Sequence, residues 1–515
     1  MLLARVAEVS REVTAASARS RKIGLLAELF AEAAPEESPL VIAYLSGRLP
    51  QGRLGVGWSV LKGVVPPAVP PAELPGLTLG RVDEVMSELA AVSGAGARAE
   101  RTRLVHALFA AATHDEQQLL LRLLTGEVRQ GALDAIALEG VALAATVPAA
   151  ELRRAVMLEG ALPRVAQAVL AEGATALDRF TLRVGNPVQP MLAHTAASVT
   201  EAIAAVGACV VEEKLDGIRI QVHRRGDEVR VHTRSLDDIT DRLPEVVAAA
   251  RAVPDDAFIL DGEVIALDPG TGRPVSFQSI AARVGSRTDV AAARAVLPLT
   301  PVFFDVLAAD GEGLIDRSGR ERHEVLSRLL PESQRVRRVL VTDPADPAQT
   351  AAAERFFTDT LAHGHEGVLV KALDAPYVAG RRGRTWLKVK PVHTVDLVVL
   401  AVERGHGRRT GLLSNLHLGA RAADGGFVML GKTFKGLTDE MLRWQTERLG
   451  ELAVEDDGFT VRVRPELVVE IAYDGLQTST RYPAGVTLRF ARVVRHRPDK
   501  PASEADTVEE VVGRR

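Results

Sequence analysis

At Gly185-Asn186-Pro187 the hydrophobic pattern of the chain changes period, and this change restricts the fold more than any other feature. Upstream, Leu, Ala and Val recur at three- and four-residue spacing, as in Arg103 to Leu124 and Ala132 to Ala145, which predicts helices over residues 1 to about 180. Two loops interrupt them, the proline-rich Val65 to Gly76 and the small-residue stretch Ser93 to Ala97. Downstream, short alternating runs between turn signals predict a β-rich region to about residue 392 and a second one from Val395 to Val494. A length of 515 residues allows about three or four domains. No repeat of 20 to 50 residues is present, which excludes a solenoid. Arg5, Glu8, Arg11 and Glu12 break the first turns, so a signal peptide is not expected. No apolar run reaches 18 residues, and the expectation is a cytoplasmic protein without a membrane span. A lone cysteine, Cys209, excludes an intrachain disulfide and a four-cysteine zinc site.

A formal charge of -4 does not by itself suggest a polyanion partner. The make-up of the 63 basic residues says more, because only nine are lysines: 22, 62, 214, 371, 388, 390, 432, 435 and 500. Where arginine has replaced lysine so widely, a retained lysine is a candidate for chemistry. Lysine can lose its proton when desolvated and attack an electrophile, whereas arginine stays charged. Seven of the nine lie between 214 and 500.

Around Lys214 the chain reads as a strand, a break at Asp216-Gly217 and a hairpin turning at Arg224 to Asp227. Glu212 and Asp216 flank the lysine at two residues on either side, able to order it, accept its proton or hold a cation. Gly217 lets a ligand approach the backbone. Asp261 and Glu263 fall on one face of an apolar strand, where a metal, a ribose hydroxyl or an arginine salt bridge would each account for them. Phe303 and Phe304 read as core, although a ring at a strand end can also stack on a base. Glu366-Gly367 enters a strand ending at Lys371, and a regular strand would put Lys371 on the opposite pleat from Glu366. In Trp386-Leu387-Lys388-Val389-Lys390, a period of two sets both lysines on one face, where an anion between them would relieve their repulsion. Between Pro376 and Leu413 eight basic residues face two acids, a local polyanion footprint.

In order, KLDG (214–217), TR (233–234), DGE (261–263), FFD (303–305), EGVLVK (366–371), WLKVK (386–390) and RPDK (497–500) resemble the covalent nucleotidyltransferases, and among them the bacterial, actinobacterial-looking ATP-dependent DNA ligases. GNPVQPMLA (185–193), GLLSNLHLGA (411–420), YLSGRLPQGRLGVG (44–57) and LTGEVRQG (124–131) extend the likeness to nearly the whole chain. The resemblance implies a multidomain α + β protein: a helical DNA-binding domain (1–182), an adenylation domain with antiparallel sheets (187–392), an OB-fold barrel (393–500) and a polar, peripheral tail (501–515).

It implies ATP as substrate, Mg²⁺ as cofactor and nicked duplex DNA as partner, in replication, repair or recombination, with a monomer sufficient. Lys214 would attack the α-phosphate and become lysyl-AMP. Glu212 would read the adenine amino group, Arg219 and Arg234 would hold ribose or phosphate, and Phe304 would stack on the base. Glu263 would serve the ribose or a metal, with Glu366 and Asp216 as further metal candidates. Arg382 would contact nucleotide, Lys388 and Lys390 would grip the α-phosphate, and Arg497 and Lys500 would orient the departing pyrophosphate. Arg48, Arg53 and Arg129 are read as DNA phosphate contacts, a solvated helix end being the other reading. Capping guanylyltransferases and RNA ligases share the KxDG core but seldom carry a long helical domain ahead of it. A catalytically silent DNA clamp would not need the intact lysines.

Overall fold

The computed structural model describes residues 1–52, 54–64, 68–126, 128, 133–285, 289–378, 382–406 and 409–513. It divides into two compact units, Met1–Lys388 and Val389–Arg515.

The first part of the first unit is helical from Leu3–Ala15 to Leu162–Glu172. Leu3, Val6, Ala7, Ser10 and Val13 line the buried stripe of the first helix, the three- and four-residue spacing that turns one face to a core. The helix His114–Thr125 shows how the sequence sets its ends. Thr113 and Glu116 form a capping box at its start, and Gly126, at φ +70°, closes it. Phe30, Tyr44 and Phe109 are among the large side chains at the centre of this layer.

Among the described residues ten strands follow: β1 Leu192–Thr195, β2 Cys209–Lys214, β3 Ile218–Arg225, β4 Glu228–Thr233, β5 Ala257–Ile265, β6 Thr300–Ala309, β7 Glu312–Gly313, β8 Arg338–Val341, β9 Gly367–Ala372 and β10 Arg382–Val389. They build two five-stranded sheets, ordered β1-β10-β9-β2-β8 and β4-β3-β5-β6-β7. β2 runs antiparallel to both β8 and β9, and only the β1–β10 pairing is parallel among the registers described. The chain passes from one sheet to the other across Leu215-Asp216-Gly217. The KLDG segment is therefore a crossing point, and Lys214 ends one sheet where the next begins. The second sheet packs Val222, Val231, Leu260 and Phe303 into a core closed by helices such as Pro244–Arg251 and Gly319–Leu329. Its other side carries Ile259 and Leu307, which join Met157 and Leu158 of the helical part in one cluster.

The second unit holds β11 His393–Arg404, β12 Leu413–Arg421, β13 Phe427–Thr433, β14 Ala453–Asp456, β15 Thr460–Val463, β16 Val468–Tyr473, β17 Gly475–Thr478, β18 Val486–Arg489 and β19 Arg492–Arg497. Seven form an antiparallel sheet, β13-β12-β11-β15-β14, with β16 joining β11 to β19; β17 and β18 pair separately. Among the described residues the edge strands β13 and β14 do not pair with each other, so the closed barrel expected from the sequence is an open sheet here. The expected peripheral tail is also corrected. Helix Val508–Val512, capped by Thr507 and Glu510, buries Val511 completely in the core of this unit. A polar composition concealed it because one apolar residue per turn is enough to anchor so short a helix.

No helix among the described residues is long and apolar enough to cross a membrane.

Buried histidines contribute to the acid sensitivity of the fold. His223 accepts the Gly185 N–H at its Nδ1 (2.9 Å), and its Nε2 lies 2.9 Å from the Gln221 side-chain oxygen. Burial pushes its pKa down to about 3, and His323, His365 and His496 are pushed down to about 3, 4 and 4 for the same reason. These groups bind fewer protons folded than unfolded. Their stabilisation is complete above the ordinary histidine value of about 6.5 and is lost as pH falls from there toward 3. Urea unfolding at a series of pH values should show that slope, and His223→Gln should flatten it.

Candidate active site

The site grows from the alternation of β2. Glu212 and Lys214 are two residues apart and so share one face of the strand. Lys214 Nζ meets the Glu366 carboxylate, and the Glu366 backbone N–H donates to the Lys214 carbonyl at 3.1 Å. Glu212 is buried and forms an ion pair with Lys371. Burial raises its pKa, opposed chiefly by Lys371. Lys371 was expected to face away from Glu366. Instead both reach the same face of β2: β9 keeps unbroken register from Gly367, and Glu366 stands just before it, where Gly367 takes φ +137°.

Lys371 also lies 4.6 Å from the centre of the Phe304 ring and 4.2 Å from that of Trp386, whose rings meet edge to face at 6.4 Å. An acid, a base and two rings thus enclose one small polar-ended box, a recess with the chemistry to hold a flat heteroaromatic group. Phe303 next door is fully buried, so the two phenylalanines divide between core and site.

The two carboxylates of β5 part company. Asp261 accepts Arg219 in a fork, Nε at 3.0 Å and Nη2 at 2.6 Å, and also the Tyr377 hydroxyl at 2.7 Å. An arginine salt bridge is thus the reading that fits Asp261. Arg219 further donates to the Met191 carbonyl at 2.7 Å and lies 5.4 Å from the Phe304 ring centre. Glu263 is half-buried, and its pKa is pushed up to about 7 by burial, opposed by Lys214 and Arg219 and reinforced by Asp261 and Glu366. A cation beside it would reverse that penalty. Among the described residues no three His, Cys, Asp or Glu side chains converge as a ready-made metal cage. One or two carboxylates completed by phosphate oxygens is nonetheless what Mg²⁺ ordinarily uses, so Glu263 and Glu366 fit this ion and not a preformed all-protein site. Asp216 sits in the crossing loop, partly exposed. Gly217 is required by packing: a Cβ there would stand 2.2 Å from the Val264 carbonyl oxygen.

Arg234 is exposed in the turn after β4. Lys388 lies in β10, opposite Thr195 of β1. Arg382 opens β10 opposite Leu192, and its side chain lies outside the described residues, as do Arg53 and Arg129 altogether. Arg48 is exposed and paired with Asp134 at 2.9 Å, an ion pair of at most about 1 kcal/mol that a phosphate could displace. In the second unit Lys390 lies 3.6 Å from Asp474, and Asp396 gathers both Arg497 (3.2 Å) and Lys500 (2.8 Å).

The sequence reading did not assign Trp386, Lys371, Tyr377 or the buried pair Arg322–Asp305 to the site. Lys371 was within reach of the retained-lysine argument. Tyr377 carried no signal of its own, standing in an irregular segment.

The model of the ATP dependent DNA ligase domain matches residues 190–390, that of the DNA ligase N terminus residues 60–142, and that of the ATP dependent DNA ligase C terminal region residues 409–500. A "Probable DNA ligase" of Streptomyces avermitilis is 68% identical over 509 residues, 99% of this chain and 98% of that protein. One of Mycobacterium sp. (strain KMS) is 56% identical over 528 residues, 99% of each. The solved structure named Pmar-Lig_PreS3 shares the fold at TM-score 0.63 and 19% identity, covering 96% of this chain and 99% of that one. With three consecutive domain models and relatives this similar over their full length, the chain belongs to the ATP-dependent DNA ligase family.

Proposed function

We propose that the chain seals nicks in duplex DNA with Lys214 as its nucleophile and the box on β2 as its base pocket. The observation that carries this reading is the shared face of β2, where Glu212 with Phe304, Trp386 and Lys371 lies one pleat from Lys214 and Glu366. Lys214 must shed a proton before its nitrogen can attack, and the Glu366 carboxylate is the acceptor in contact with it. The N–P bond forms as the bond from the α-phosphorus to its bridging oxygen breaks, and pyrophosphate leaves with the electron pair. A 5′-phosphate oxygen of the nick then attacks the lysyl-bound phosphorus and frees the amine. The 3′-hydroxyl finally attacks the activated 5′-phosphate and expels AMP.

Glu212 reads the adenine amino group after Lys371 yields the box, and Phe304 stacks on the base. Arg219, Arg234 and Arg382 serve the ribose and phosphates. Lys388 and Lys390 hold the α-phosphate. Arg497 and Lys500 exchange Asp396 for the departing pyrophosphate. Mg²⁺ held by Glu263, Glu366 and Asp216 would neutralise charge on the phosphoryl oxygens. The helical domain, residues 1–182, grips DNA through Arg48, Arg53 and Arg129; residues 393–500 act as an OB-fold; and one chain suffices.

The test is incubation with α-labelled ATP, then with a nicked duplex. Label should enter the protein covalently, move to the DNA and leave as AMP. Labelling from GTP in place of ATP would reject this reading in favour of a capping-type enzyme.

Tyr377 supplies a second, finer test. Its buried hydroxyl donates to Asp261, accepts the Met191 N–H at 3.0 Å and lies 3.3 Å from Arg219 Nη2, so it fixes the guanidinium from behind. Tyr377→Phe should raise the KM for ATP in adenylation about three- to tenfold, the loss of about one net hydrogen bond, with kcat little changed. A change in thermal stability alone would mark the hydroxyl as merely structural.

A further inference from the structure

A cavity of about 1000 Å³ opens in the first unit among helix Gly319–Leu329, the segment leading into β8, and helix Pro347–Ala362, clear of every residue assigned above. Five arginines line it, Arg328, Arg335, Arg337, Arg338 and Arg355, against three acids, Glu324, Glu332 and Asp359. The acids do not neutralise them. Among the described residues Arg328, Arg338 and Arg355 form no ion pair or hydrogen bond through their guanidinium groups, and Arg337 reaches away to Glu213 at 2.9 Å. Arg335 gives one hydrogen bond to the Ser327 hydroxyl at 2.7 Å, while its Nε is buried with no partner. Burial lowers the pKa of Arg338, opposed by Glu212, while the nearby Arg335 adds to the lowering.

Guanidinium groups that outnumber the carboxylates around them repel one another, and leaving a buried N–H unmet costs about 1–3 kcal/mol. An anion removes both penalties. The planar fork of arginine suits phosphate, several forks suit several phosphates, and the volume is at the upper end of what small ligands occupy. The Phe356 ring, 5.8 Å from the Arg337 guanidinium, offers one aromatic face at the same wall.

We propose that this cavity is a second anion site, binding a polyphosphate chain carried either by a free nucleotide or by inorganic polyphosphate. His323 and Arg338 also line the narrow pocket that holds Glu212, Phe304, Lys371 and Trp386. Arg338 pairs with Glu212 in the β2–β8 register, so a ligand here adjoins the proposed base pocket through His323 and Arg338.

The experiment is calorimetric titration of the full chain with inorganic tripolyphosphate, for the wild type and for a protein carrying Arg335→Ala and Arg355→Ala. The wild type is expected to show a binding event that weakens at least about tenfold in the double variant, each lost fork being a charge-assisted contact. Covalent labelling of Lys214 by ATP should stay unchanged in both proteins, which separates this site from the nucleophile. Titration with α,β-methylene-ATP identifies the source. Two equivalents falling to one in the double variant indicate a nucleotide, and one equivalent in both indicates the inorganic chain. Equal tripolyphosphate binding by the two proteins, or none by the wild type, overturns the proposal. Arg355→Ala alone, an exposed position, repeats the test without disturbing the fold. Failure of Lys214 labelling in the wild type would instead sink the reading of the active site and leave this one standing.

Discussion

Lys214→Ala protein should form no covalent adenylate and seal no nick, a loss of at least about 10⁴-fold that no added nucleotide restores. Intact-mass spectrometry after incubation with ATP and Mg²⁺ reads it directly: the wild type gains one AMP, the variant none. The argument is geometric as well as chemical. Lys214 sits where the chain crosses between sheets, its head against Glu366 and its neighbour Glu212 in the proposed base pocket, and no other described lysine shares that combination. Supplying a nick that already carries AMP on its 5′-phosphate bypasses the amine, so the variant should still close it at a measurable rate. Failure on that substrate would mean that the variant had lost its fold and not only its nucleophile. An adduct on any other residue would remove Lys214 from the mechanism.

The largest effect on stability is expected at Arg322. Its guanidinium and the Asp305 carboxylate are both buried and joined in a fork at 2.8 and 3.1 Å, and Nη1 also donates to the carbonyls of Arg317 (2.7 Å) and Ala375 (3.2 Å). Removing one member leaves an uncompensated charge in the interior. Arg322→Ala should destabilise the first unit by about 3–5 kcal/mol, read as a lowered urea midpoint. Replacing both partners together, Arg322→Met with Asp305→Leu, should recover much of that loss, since no orphaned charge remains. Equal destabilisation by the single and double variants would show that the carbonyl contacts, and not the ion pair, hold this corner. Arg322 lies 5.8 Å from the Tyr377 ring centre, so its loss should also loosen the hydroxyl that steadies Arg219.

Much of this was legible in the residues themselves. The change of period at Gly185 separates helices from strands, and alternation puts Glu212 and Lys214 together, because a strand's face is fixed by counting twos. What escaped was whatever depended on a break in that count or on contacts between distant segments. Glu366 stands just outside the regular strand, where Gly367 takes φ +137°, and so reaches Lys214 on the face of β2 that Lys371 also meets. Asp261 was open to three readings until Arg219, 42 residues earlier, was seen to claim it. Tyr377 joins Met191, Arg219 and Asp261 from a segment with no periodicity at all. The tail looked peripheral because helix Val508–Val512 is too short for any pattern to accumulate.

The two-residue interval on β2 has a further consequence for how such a chain can change. In the proposed reaction Glu212 and Lys214 divide recognition and chemistry on one rigid ribbon, so inserting or deleting one residue between them would rotate one function out of the pocket while leaving the other in place. Nucleotide preference can therefore drift through side-chain exchange at the surrounding walls, whereas the tether linking reader to nucleophile is frozen at its present length.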